Sequence, residues 1–292
     1  MSQDELIFEV AYLCRPGKGF PKKDDLKRCL AQVEGLESPT KGSSLYRYRN
    51  PETQVAFEFV LYEPDGDAVG LSFEMGMPRP LFFALEALPC VVQVARELSL
   101  DVEILSPENE IPASEPTLEV LLDQWQRANR EEAQALEGDG VKLHRFDNHG
   151  LEATWEFMLL RGEMARRYSR VRVAVPPVQF LRHRQTGKVY RAIQWAGLQP
   201  IGMAECELVI LTDPPASLKN KSVIAFDDLR NSAKFAFRDL SQPVVHHLFD
   251  KLKALHELPQ VIGALEAQSR DDFEELPYRL VLDQDLTPLM DD

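Results

Sequence analysis

The spacing of apolar and polar residues divides the chain into strands and helices along most of its length. At the start, Leu6, Phe8 and Val10 alternate with Ile7, Glu9 and Ala11, the two-residue period of a strand. A helix is expected around residues 25–34, capped by Asp24 or Asp25 and ended at Gly35. Leu45–Arg49 and Gln54–Tyr62 read as a hairpin about Asn50-Pro51, with Val55, Phe57, Phe59 and Leu61 on one face. Val69, Leu71 and Phe73 follow as the next strand of a meander.

Residues 70–105 carry the strongest fold signal. Met77-Pro78-Arg79-Pro80 stops the strand, and Pro80 suits a first helical turn. Leu81, Leu85, Leu88, Val92 and Ala95 then recur at helical spacing. Phe82, Phe83 and Val91 lie off that stripe, so the helix is expected to be covered on more than one side. Pro89 within it predicts a kink or a second helix. Val102, Ile104 and Leu105 resume an extended pattern, giving the order β-α-β-β-β-α-β. Thr117 then caps a helix from Leu118 to about Leu136, ended by Gly138-Asp139-Gly140.

In the second half, a helix is expected over Leu151–Tyr168 and a short strand over Val171–Val175. A hairpin pairs Val178–Arg184 with Lys188–Trp195. Strands follow at Glu205–Thr212 and Ser222–Phe226, then a helix from Val244 through Leu248, Leu252, Leu255 and Leu258, interrupted by Pro259. A last strand is expected at Leu280–Leu282. The fold class read from this is α+β. Two domains, residues 1–138 and 139–292, each carry a mainly antiparallel sheet with helices packed on one face.

Charge is spread unevenly. The chain has a net charge of −14. Residues 1–150 hold 15 basic and 27 acidic side chains, against 18 and 20 in the rest. Phosphates are repelled by such a first half, which disfavours extended nucleic-acid binding. From Arg161 to Arg191 there are nine basic residues and one acid, but no RNP-like string accompanies them. The stretch Glu97–Asp139 holds twelve acids and two arginines, a surface able to steer a basic protein partner.

No stretch has the roughly 18 consecutive apolar residues of a membrane span. The N-terminus lacks the basic region of a secretory signal, so a cytoplasmic protein is expected. Cys14, Cys29, Cys90 and Cys206 form no C-x-x-C pair and read as reduced, mostly buried thiols.

Motifs for phosphate cradles, dinucleotides, kinases, nucleophile elbows and zincins are absent, and no cofactor or metal is called for. The best candidate for catalysis is the segment His144 to His149, where His144, Asp147 and His149 fall within six residues. His246 and His247 with Asp250 form a second polar cluster, and Glu205 and Glu207 share one strand face. Arg191 shares a strand face with Val189, Ile193 and Trp195. A charge in that setting requires a carboxylate, with Glu205 or Glu207 nearest in sequence; otherwise Arg191 and Trp195 mark an exposed binding surface.

In composition alone the chain resembles acidic, motif-poor bacterial accessory or immunity-type proteins, a likeness that transfers no residue roles. The functional expectation is a non-enzymatic protein-binding protein, of inhibitor or immunity type, acting on a basic partner. The competing expectation is an enzyme whose site lies in an interdomain cleft around His144, Asp147 and His149.

Overall fold

A computed structural model describes residues 6–37, 43–105, 114–250 and 256–286. The chain forms two compact units, residues 1–143 with 282–292, and residues 144–281. Its class is α+β, and in the three larger sheets the described strand pairs are antiparallel except one.

In the first unit the elements run β1 (Ile7–Cys14), α1 (Lys23–Leu30), β2 (Leu36–Glu37), β3 (Leu45–Arg49), β4 (Ala56–Leu61), β5 (Ala68–Gly76), α2 (Leu81–Leu98), β6 (Leu100–Leu105) and α3 (Leu118–Gly138). Six strands make one sheet in the order β2-β3-β4-β5-β1-β6, every neighbour antiparallel. Phe8, Val10, Tyr12, Phe57, Phe59, Val69, Leu71, Phe73 and Met75 are buried on one face. That face lies against α2, where the Tyr12 hydroxyl donates to Val91 O at 3.3 Å.

Of the two outcomes expected at Pro89, a second helix does not occur: α2 runs from Leu81 to Leu98 with the proline inside it. An interior proline costs about 3 kcal/mol. Phe82, Phe83, Leu88, Val91, Val92 and Val94 are all buried on this helix, each stabilising by about 1.5–3 kcal/mol, so burial outweighs the lost hydrogen bond. Ser99, in the left-handed region at φ 54°, ends the helix.

The proline corner before α2 is held from two sides. Asn129, fully buried on α3, accepts from Arg79 N and donates to Arg79 O, both at 2.8 Å. Leu81 N donates to Asp283 Oδ2 at 2.6 Å, so the returning C-terminal segment satisfies a free N–H at the start of α2. Thr117 caps α3 as its sequence predicts, its hydroxyl accepting from Val120 N.

The second unit contains β7 (His144–Phe146), α4 (Asn148–Tyr168), β8 (Val178–His183), β9 (Val189–Ala196), β10 (Ile201–Met203), β11 (Leu208–Thr212), β12 (Val223–Ala225), α5 (Phe226–Ser232), β13 (Phe237–Leu240), β14 (His246–Phe249), α6 (Leu258–Ala264) and β15 (Phe273–Leu276). The chain then enters β16 (Val281–Asp283) and returns to the first unit. One sheet has the order β12-β11-β9-β8-β15, in which only β9 and β11 run parallel; the other has the order β10-β14-β13. Trp195, Phe226, Phe237 and Phe249 anchor the principal core.

Two local expectations fail here. Val171–Val175 is no strand: a 3-10 turn covers Ser169–Val171, and Ala174 makes a single bridge to Ile201. The helix expected from Val244 is replaced over His246–Phe249 by β14, whose four residues are all buried between β10 and β13. Leu252 and Leu255 lie outside the described residues. Helix α6 begins only at Leu258, with Pro259 in its first turn, where the missing N–H costs nothing.

Candidate functional site

The face of the six-stranded sheet turned away from the aromatic core carries an acidic row. Register places Glu58 opposite Glu74 and Glu74 opposite Glu9, on β4, β5 and β1. Arg47 on β3 lies opposite Glu58, and Leu105 on β6 lies opposite Glu9. Each of these side chains alternates with a core residue, so the buried Phe57, Phe73 and Val10 fix the outward direction of the acids.

Among the described residues, only one end of the row is neutralised. Arg47 Nε donates to Glu58 Oε1 at 2.7 Å. Among the described residues no basic side chain pairs with Glu74, which accepts only the Ser72 hydroxyl at 3.4 Å. Burial, then the charge of Glu9, with a smaller push from Glu58, hold the Glu74 carboxyl above its ordinary pKa; the Ser72 hydroxyl pulls the other way.

Beside the acids the face is apolar. The next row sets Ala11 against Ser72 and Ser72 against Val60, which faces Leu45. Ile7, Leu105 and Tyr62 are exposed at 47%, 45% and 38%. At the Ile7 end, a cavity of 280 Å³ opens between Ile7, Arg49, Ala56, Glu58, Glu74 and Arg79.

The residues singled out from sequence occupy different settings. His144 is buried in β7, whereas Asp147 and His149 are exposed. Asp147 is the N-cap of α4, its Oδ1 accepting from Gly150 N at 2.7 Å. One carboxylate oxygen is therefore spent on starting the helix. Among the described residues no group of three or more His, Cys, Asp or Glu side chains is placed to hold a metal ion.

Arg191 is paired with Glu207. Its Nη2 and Nε donate to Glu207 Oε1 at 2.7 and 3.1 Å, its main-chain N–H donates to Oε2 at 2.7 Å, and Nη1 reaches Gly150 O at 3.3 Å. The guanidinium also lies over the Phe146 ring. Burial opposes its charge, but Glu207 outweighs burial and raises the Arg191 pKa. Trp195 is 1% exposed, packs edge-on against Phe249, and donates its indole N–H to Gln199 O at 2.7 Å. Its surface is spent on the core.

The histidines of β14 point to opposite sides of a strand. His246 Nδ1 donates to Val244 O at 2.7 Å, so its Nε2 accepts from the Tyr168 hydroxyl at 2.7 Å. Burial lowers the His246 pKa, which favours the neutral ring and this arrangement. His247 Nδ1 bonds Asp239 Oδ1 at 2.7 Å, and its Nε2 is buried against Phe226 without a hydrogen-bond partner. The nitrogen a general base would use has no access to a proton donor there. All four cysteines are free thiols. Burial and the Glu97 contact push Cys29 up to about 12, and burial with Glu86 pushes Cys90 up to about 11, which suppresses the thiolate at neutral pH.

Comparison of the chain with protein-family models, curated protein sequences and solved structures gives no match in any of the three. No described helix is long and apolar enough to cross a membrane. Functional argument therefore rests on the geometry, and the acidic row is the feature that sequence reasoning missed. Glu9, Glu58 and Glu74 each read alone as an outward-facing strand residue. Only the register of three strands brings them together.

Proposed function

We propose that the chain is a non-enzymatic protein-binding protein of inhibitor or immunity type, acting in the cytoplasm on a basic partner. The docking surface is the sheet face of the first unit that bears Glu9, Glu58 and Glu74. The observation that carries this reading is the row Glu58, Glu74 and Glu9, three carboxylates side by side with one arginine at the end. Like charges directly opposite on neighbouring strands destabilise a sheet, and a cationic partner relieves that repulsion on binding. The exposed Ile7, Tyr62 and Leu105 add apolar contact beside the charges, the mixture found at protein interfaces.

The enzyme reading draws no support from the placement of its residues, since Asp147 serves as a helix cap and His149 lies exposed.

The test is affinity capture from the native host at low and high salt, with the wild-type chain and with Glu9→Gln/Glu58→Gln/Glu74→Gln. A basic protein retained at low salt, released at high salt and lost with the triple variant is the expected result. Recovery of no protein at either salt, or capture indifferent to the three substitutions, refutes the proposal.

A further inference from the structure

We infer that the C-terminal end of α4 and the turn after it form a second interaction surface, which takes a short acidic polypeptide segment bearing an aliphatic side chain. The surface lies in the second unit and involves none of the acidic row, so the inference goes beyond the reading above.

The basic run between Arg161 and Arg191 divides into two sets. Five of its nine members are engaged within the fold. Arg182 and Arg184 pair with Glu274, and Arg191 pairs with Glu207. Arg161 Nη1 donates to Val175 O at 2.9 Å, and the Lys188 ammonium lies over the Tyr190 ring. The other four, Arg166, Arg167, Arg170 and Arg172, are all exposed, and among the described residues none of them forms an ion pair. The helix dipole accounts for cations in the last turn of α4, which are Arg166 and Arg167. Arg170 and Arg172 lie past the end of the helix at Tyr168, where that account stops.

The backbone that carries these arginines is anchored. Met164, Tyr168, Val173 and Val175 are buried, and the Tyr168 hydroxyl donates to His246 Nε2 at 2.7 Å. A platform fixed in this way costs little further ordering when a partner arrives. Between Arg170 and Arg172 stands Val171, at 61% the most exposed bulky apolar side chain among the described residues. Val245, next to the histidine that holds Tyr168, is half exposed. Arginine beside uncovered apolar surface is the composition enriched at protein interfaces.

Charge then selects among anionic partners. The arginine fork pairs with carboxylates through two parallel hydrogen bonds. A membrane or a nucleic acid presents negative charge far beyond the four arginines, and the net charge of −14 on the chain repels it. A short acidic segment confines its charges to the patch, within the roughly 8 Å over which exposed charges act at physiological salt. An aliphatic side chain in that segment covers Val171.

The experiment titrates the isotope-labelled full chain with the peptide acetyl-EELEE-amide, following the backbone amides of Arg170, Val171 and Arg172 by NMR, with acetyl-QQLQQ-amide as the uncharged control. The acidic peptide is expected to saturate with millimolar affinity, weakened about tenfold or more in Arg166→Gln/Arg170→Gln/Arg172→Gln and about threefold in Val171→Ser. The control peptide gives no saturable shift. All four substituted positions are exposed, where substitutions change stability little, and thermal melting by circular dichroism verifies that both variants fold. Absence of saturable shifts up to about 20 mM peptide, equal binding of the control, or unchanged affinity in either variant overturns the inference. Co-sedimentation with vesicles of phosphatidylcholine and phosphatidylserine, mixed at roughly 4:1, that is lost in the triple variant while the peptide fails to bind assigns the patch to a lipid surface and also overturns it. The peptide is read without any host partner. A failed capture at the acidic row leaves this surface standing, and a failed titration leaves the acidic row untouched.

Discussion

Replacing Arg191 with methionine removes a guanidinium from a place where it has no easy substitute. The side chain is 11% exposed, and its partner Glu207 is 34% exposed. Methionine keeps much of the stem and the main-chain N–H bond to Glu207, but loses the two-pronged contact and the bond to Gly150 O. Breaking a fully buried pair costs about 3–5 kcal/mol. Glu207 can rehydrate through its exposed third, which lowers the expected loss to about 2–3 kcal/mol. For a unit of this size that corresponds to a fall of roughly 6–9 °C in melting temperature. The reverse substitution, Glu207→Leu, strands the deeper of the two charges and should cost more, about 3–4 kcal/mol. Urea unfolding of both single variants and of the double variant, read by circular dichroism and tryptophan fluorescence, gives the coupling directly. A loss below about 0.5 kcal/mol for Arg191→Met is the range of a surface substitution. That result, or a larger loss for Arg191→Met than for Glu207→Leu, refutes the reasoning.

Three further substitutions probe polar contacts, one in the first unit and two in the second. Glu86 Oε1 accepts from Tyr48 Oη, Asn50 Nδ2 and Thr53 Oγ1 at 2.8, 2.8 and 3.0 Å, tying the β3–β4 loop to α2. Glu86→Ala should destabilise the first unit by about 2–3 kcal/mol and speed amide exchange at Asn50 and Gln54; protection equal to wild type sinks this account. Tyr168→Phe leaves His246 Nε2 without its donor in the core and should cost about 1–2 kcal/mol at pH 7. Because the folded pKa of His246 is depressed, its contribution is complete above the unfolded value near 6.5 and declines as pH falls below it. Stability of His246→Gln should therefore fall less than wild type between about pH 7 and 5, and an equal slope counts against the neutral-ring assignment.

The first unit was readable because one face of its strands is filled by large apolar side chains and the other carries its polar ones. Phe8, Val10 and Tyr12 alternate with Glu9 and Ala11, as do Phe57 and Phe59 with Glu58, so the large apolar side chains share one face. The failure at β14 has the opposite cause. All four residues, His246 to Phe249, are buried on both faces in the middle strand of a three-stranded sheet, so no alternation exists to be read. The leucines at 248, 252, 255 and 258 imitate a helical stripe, and Leu248 belongs to the strand. Pro89 does not split the helix, for an energetic reason: a local cost is visible in the chain, while the compensating burial along α2 is not. Arg191 and Glu207 succeeded because strand parity alone demanded a carboxylate on that face, and β11 lies directly beside β9.

The acidic row was beyond such reasoning, because it is a property of register. Slipping β5 by one residue against its neighbours would turn Phe73 and Met75 outward and bury Glu74. Phe59, Phe73, Val10 and Met75 are each 2% exposed or less, and each such burial stabilises by about 1.5–3 kcal/mol. The two like-charged pairs, Glu58 with Glu74 and Glu74 with Glu9, together oppose this by at most about 2 kcal/mol. The aromatic face therefore wins, and it holds the carboxylates abreast despite their repulsion. A basic group arriving at this face meets acceptors carried on strands whose register the core already fixes. Little ordering cost remains on this side of the contact, which is the condition under which a few charges give useful affinity.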